Sequence, residues 1–142
     1  MKYWDSSALV PLCVEETSSA RMIRIYRSDP AVVTWWGSEI ECVSALARLE
    51  REGAMTAAMV SSAMDRLAAL RAAWHEVQPS RAVRDTAARL LRMHPLRAPD
   101  AIQLSSAVIV ADREPAALEF VSLDTRLASA AQREGFPLVE TG

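Results

Sequence analysis

Short apolar runs alternate along this chain with longer stretches whose apolar residues recur at helical spacing. Residues 2–5 form a strand candidate that ends in an acid, and Ser6–Cys13, with Leu9, Val10 and Leu12 apolar, predicts a helical turn broken near Pro11. Residues 17–28 read as a helix carrying Met22, Ile23, Ile25 and Tyr26, and 31–35 is a β-branched run after Pro30 that suits a strand. Ser38 fits the N-cap of a helix reaching about Arg51, with Glu41 three residues on as in a capping box. Ile40, Val43, Leu46, Ala47 and Leu49 give that helix its apolar face, and Gly53 ends it.

Thr56 caps a further helix, in which Met59, Val60, Ala63, Met64, Leu67 and Leu70 recur at helical spacing. A brief strand at 74–77, a helix at Arg81–Met93 and a helix at 99–110 follow, the last with Pro99 at its first position. A strand at 119–123, a helix at 124–134 and a last strand at 137–139 after Gly135 complete the order. Short strands separated by helices predict an α/β fold: a three-layer α/β/α sandwich around a parallel sheet of about five strands. There is no internal repeat, low-complexity tract or linker, so residues 1–142 are expected to form one domain.

Composition narrows the classes. Hydrophobic residues make up 51% and charged residues 24%, as in a globular protein, and abundant alanine with scarce glycine favours helices. The formal charge is −2, from 16 basic and 18 acidic side chains, so bulk charge does not mark a nucleic-acid binder, although local patches still bind phosphates. Lys2 is the sole lysine. The arginine bias suits bidentate phosphate contacts, with genomic composition as the plainer source. Cys13 and Cys42 have no CxxC partner and His75 and His94 are isolated, which argues against structural zinc. Two free thiols, an acid as early as Asp5 and no long uncharged apolar stretch make a cytoplasmic chain without a membrane span the expectation.

Four acids occupy informative positions. Asp5 ends the first strand, Glu41 lies in the first turn of the helix after the second, Asp100 follows Pro99 at a helix start, and Asp124 follows the strand at 119–123. Ligands of open parallel sheets bind outside the carboxyl ends of the strands, where helix N-termini also point, and all four map to that edge. A helix dipole favours one first-turn anion by roughly 0.3–1 kcal/mol, too little to offset several clustered carboxylates. A cation is the natural complement, and an all-oxygen set suits Mg2+ or Mn2+. Taken singly, Asp100 and Asp124 also fit plain helix capping, and Glu41 the capping box with Ser38.

These residues carry a family likeness. Tyr3-Trp4-Asp5-Ser6-Ser7-Ala8-Leu9-Val10 resembles the opening of PIN-domain nucleases, and Glu41-Cys42-Val43-Ser44-Ala45-Leu46-Ala47-Arg48 resembles their second motif. Leu96-Arg97-Ala98-Pro99-Asp100-Ala101-Ile102-Gln103-Leu104 is similar to the third. Phe120-Val121-Ser122-Leu123-Asp124-Thr125-Arg126-Leu127, with Glu134-Gly135-Phe136 downstream, is similar to the fourth. Order, spacing and length agree over essentially the whole chain, which resembles the VapC toxins of type II toxin–antitoxin pairs. The resemblance implies a Mg2+- or Mn2+-dependent endoribonuclease, usually a homodimer, neutralised by a cognate antitoxin. Asp5, Glu41, Asp100 and Asp124 would be its catalytic and metal-holding acids, with Ser7 supporting the first.

Glu39 competes with Glu41 for the second position; residues two apart on a helix point about 200° from each other, and the Ala-Leu-x-Arg register favours Glu41. The pI near 5.7 sits uneasily with RNA affinity. RNA hydrolysis needs an in-line nucleophile and neutralised charge at phosphorus, both of which metal ions supply. Asp5, Glu41 and Asp100 would hold the principal ion, while Asp124 helps with a second or orients water. Arg48 and Arg97 are candidate phosphate contacts, with Arg51 weaker, and Trp35 and Trp36 fit either base stacking or packing. His75 and His94 read as surface or helix-end residues, and Met55, Met59 and Met64 as filler. A catalytically inactive PIN-like protein-binding module is the alternative. A phosphoryl-transfer enzyme ranks lower, because no Asp-x-Asp pair follows the first strand and no P-loop is present.

Overall fold

In the computed structural model, which describes residues 1–142, β1 (Lys2–Trp4) lies inside a four-stranded parallel sheet. It pairs with β2 (Val32–Trp35) on one side and β4 (Glu119–Val121) on the other, with Tyr3 opposite Val33 and Phe120, while β3 (His75–Val77) pairs outside β2. Successive side chains of a strand point to opposite faces, and the two cores divide accordingly. Trp4, Val32 and Val121 join the core beneath α1 (Ser6–Cys13), α2 (Ser19–Ser28), α3 (Ser38–Arg51) and α4 (Ala57–Ala73). Tyr3, Val33 and Phe120 join the core beneath α5 (Arg81–Met93), α6 (Ala98–Ala111) and α7 (Thr125–Arg133). The result is the expected α/β/α sandwich.

The connections after β1 and β2 cover one face, and those after β3 and β4 cover the other. The switch therefore falls between the adjacent strands β1 and β4, where open parallel sheets form a crevice at their carboxyl ends. Asp5 directly follows β1, and Asp124 follows β4 after the two-residue turn Ser122-Leu123.

Three local expectations are corrected. Pro11 does not break α1: Ala8, Leu9, Val10, Pro11 and Cys13 are all buried against neighbouring helices, and that packing outweighs one missing backbone donor. Arg66 of α4 also donates to the Cys13 carbonyl at 2.7 Å, satisfying the end of α1. Ser38 is not an N-cap but the first residue of α3; Gly37 holds the cap position without a side-chain bond, and the Ser38 hydroxyl turns inward. The fifth strand shrinks to a single bridge between Leu138 and Phe120. Pro137 has no N–H to extend that ladder, which consists of Phe120 N–H to the Pro137 carbonyl and Val139 N–H to the Phe120 carbonyl.

Gly135, at φ 99°, turns the chain from α7 toward that bridge; a Cβ there would lie 3.2 Å from Pro115 Cγ. The neighbouring Glu134 accepts from His94 at 2.8 Å and from Arg89 at 3.3 Å, joining the end of α5 to the end of α7. His94 stands at a helix end, as its position in the sequence suggests, but is buried. Glu134 is its only side-chain partner, because Nδ1 has none. Glu134→Ala is expected to destabilise the fold by about 1–3 kcal/mol, the cost of stranding a buried polar ring. Urea unfolding monitored by circular dichroism measures it.

Candidate active site

Asp5 caps the N-terminus of α1 from the end of β1 and is only 3% exposed. Ser7 donates to its carboxylate twice, from Oγ at 2.8 Å and from the backbone N–H at 3.3 Å. The same Ser7 oxygen accepts the Leu123 N–H at 2.9 Å, which ties Asp5 to the turn between β4 and α7. Across that turn Ser122 Oγ accepts the Asp124 N–H at 3.0 Å. Asp124 caps α7, its Oδ1 taking the N–H groups of Arg126 and Leu127.

Glu41, in the first turn of α3, bridges two other helices. One carboxylate oxygen accepts from Ser6 Oγ at 3.1 Å and the other from Gln103 Nε2 at 2.9 Å. The capping-box reading of Glu41 thus fails along with that of Ser38. Glu39 faces away from these partners and pairs with Arg71 of α4 at 3.3 Å. Asp100 lies half-buried in the first turn of α6, whose N-cap is the exposed Arg97.

The electrostatics link the four acids in series. Burial pushes Asp5 up to about 7, against hydrogen bonds from Ser7 and Ser122 that lower it, and the Glu41 charge raises it further. Burial also raises Glu41, with Asp100 adding to the shift, and raises Asp100, with Asp124 adding and Arg97 opposing. Two costs therefore meet at this edge, desolvation and like-charge repulsion, and a cation offsets both. The donors are all oxygen, which suits Mg2+ or Mn2+. As placed, no three His, Cys, Asp or Glu side chains form a group able to hold an ion. Glu41 is turned toward Ser6 and Gln103, and Asp124 toward its own helix. The residues fit a divalent ion in donor chemistry, and Glu41 and Asp124 each keep carboxylate lone pairs that these bonds do not use.

Other candidates fall elsewhere. Arg48 is exposed in the last turn of α3, two turns and roughly 10 Å along the axis from Glu41. Trp35 is half-buried at the end of β2 and borders a groove of about 600 Å³ against α5 and α6, while Trp36 beside it is 52% exposed. Burial pushes the Cys13 thiol up to about 11 and Cys42 higher still, so neither supplies a thiolate nucleophile at neutral pH. The sequence reading missed Ser6, Ser38, Gln103 and Ser122. For Gln103 a signal existed, since a long amide stands on α6 beside Ala101, Leu104 and Ala107, all buried.

No protein-family profile matches the sequence, and no curated protein matches it. Solved structures share the fold. A chain of a toxin–antitoxin complex from Klebsiella pneumoniae superposes with a TM-score of 0.65 at 16% identity, over 100% of this chain and 98% of that one. PAE2754 from Pyrobaculum aerophilum gives 0.66 at 22% identity, over 99% of this chain and 85% of that one. At these identities the likeness is one of fold.

The raised Asp5 sets the sign of a pH effect. Between about pH 4 and pH 7 the folded chain holds a proton there that the unfolded chain has released, so this group lowers stability as pH rises through that window. The loss is on the order of 4 kcal/mol when complete. Asp5→Asn is expected to flatten that decline without added metal, leaving the variant more stable than wild type at pH 8. Thermal unfolding at pH 5 and pH 8 decides it; parallel declines in the two proteins would refute the assignment.

Proposed function

We propose that this chain is a Mg2+- or Mn2+-dependent endoribonuclease of the PIN-domain kind, acting as the toxin of a toxin–antitoxin pair. The observation that carries the reading is the gathering of Asp5, Glu41, Asp100 and Asp124 at one sheet edge, where burial and mutual repulsion raise three of them. The fold shared with a chain of a toxin–antitoxin complex supports it.

In this reading Asp5, Glu41 and Asp100 hold the ion. When bound, Mg2+ or Mn2+ supplies positive charge against the scissile phosphate and makes water a better nucleophile. Asp124 helps with a second ion or orients that water: its Oδ1 is fixed by two backbone N–H groups, while Oδ2 has no protein partner. Arg97, exposed beside Asp100, meets the phosphate, and Arg48 meets a nucleotide further along a bound RNA. Ser7 holds Asp5 and keeps the β4–α7 turn in register with it.

The partners in this reading are RNA, a cognate antitoxin and a second copy of the chain. Trp36 at 52% and Ile40 at 66% exposure leave two large apolar side chains open to solvent near the start of α3, which supports a protein interface there. No helix is long and apolar enough to cross a membrane. The inactive binding module keeps one observation in its favour, the lack of a ready three-acid grouping.

Two experiments test the reading. Incubating the purified protein with a mixed RNA pool is expected to give discrete cleavage with Mg2+ or Mn2+. EDTA should abolish it, and Asp100→Ala should slow it about 100-fold, the scale of losing one electrostatic contributor at a reacting group. Well-folded protein that neither cleaves RNA nor binds Mn2+ would establish the binding module instead. Sedimentation is expected to give a dimer for the wild type and a monomer for Ile40→Asp.

A further inference from the structure

Gln103 is 1% exposed, yet its side chain makes three hydrogen bonds to two other elements, β1 and α3. Tyr3 Oη of β1 donates to its Oε1 at 2.7 Å. Its Nε2 donates to Ser38 Oγ at 3.0 Å and to Glu41 Oε2 at 2.9 Å, both on α3. Beyond Ser38 the chain of bonds continues, with Thr34 Oγ1 2.6 Å from Ser38 Oγ and 2.7 Å from the Trp4 carbonyl.

The direction of every bond follows from proton inventory. A backbone carbonyl only accepts, so the single Thr34 hydroxyl proton goes to Trp4, and Ser38 must donate to Thr34. Ser38, its proton spent, accepts from Gln103, which turns the amide nitrogen toward α3 and its oxygen toward Tyr3. The second amide proton then has one receiver, the Glu41 carboxylate. The Ser38 chain sets this orientation before any ligand arrives, and Tyr3 satisfies the amide oxygen it leaves facing the core.

We infer that Gln103 is a positioning residue of the site: oriented by the Trp4–Thr34–Ser38 chain, it fixes the Glu41 carboxylate between α1 and α6. A carboxylate has about four lone-pair positions. The bonds from Ser6 and Gln103 occupy two of them, and the others remain for an ion or a polar substrate group. This inference rests on the proposed metal-holding role of Glu41.

Mn2+ binding by calorimetry on the full chain, beside thermal unfolding without metal, tests it. Wild-type binding that is lost in Asp100→Ala checks the underlying site reading by itself. Given that, Gln103→Met, similar in length and volume, is expected to bind Mn2+ at least tenfold more weakly. Gln103→Asn, which draws the amide back by one methylene, should behave alike and serves if the first variant does not fold. Tyr3→Phe leaves the Ser38 chain and the donor to Glu41 in place and removes only the bond to the amide oxygen, so it should lower the melting temperature while leaving Mn2+ affinity within about threefold. Folded Gln103 variants that bind as wild type does would overturn the inference. So would Tyr3→Phe losing affinity as fully as Gln103→Met, since the effect would then come from core stability.

Discussion

β1 has only three residues, and both of its faces and both of its edges are occupied. Tyr3 and Trp4 are fully buried on opposite sides, so the next residue must leave the sheet at the carboxyl edge, and that residue is Asp5. A large aromatic side chain buries roughly 150–250 Å², which contributes about 4–6 kcal/mol at ~25 cal/mol per Å². Two such side chains outweigh the cost of holding a carboxylate out of water beside them. The fold can therefore keep an unfavourable charge at its centre, and helices α1, α3, α6 and α7 arrange their N-termini around it.

What results is a site whose parts are fixed by different means. Asp5 and Asp124 cap helices, so backbone N–H groups set their orientation. Glu41 caps nothing; side chains from α1 and α6 orient it. Asp100 is half-buried in the first turn of α6, with the Arg97 charge beside it. Rigid and adjustable carboxylates thus share one edge, which suits a site that closes on its ligand.

The sequence announces the parts of this arrangement that depend on local pattern. Apolar runs separated by helical periods place the strands and nearly all helix bounds within a residue or two, and the acids stand at the ends of those elements. Long-range packing is less visible. Pro11 reads as a breaker because the helices that bury it are distant in the chain, and Ser38 reads as a cap because Thr34 and Gln103 are not yet known to lie beside it. The last strand reads as a full element because alternation cannot report that Pro137 limits its ladder to two bonds. The ring of polar side chains around Glu41 is legible only once β1, β2, α3 and α6 are brought together.

The placement of β1 between β2 and β4 has a consequence for how the chain is made. A ribosome delivers Asp5 and Glu41 first and Asp100 and Asp124 last, and domains fold as units during or after synthesis. Until β4 emerges and pairs, β1 has an open edge and the Ser7 hydroxyl lacks the Leu123 N–H that locks the turn. The acidic edge is complete only when the C-terminal third of the chain has docked. A nascent or truncated chain carries half of the carboxylates without the crevice between β1 and β4, so the last strand to join the sheet is also the step that assembles the site.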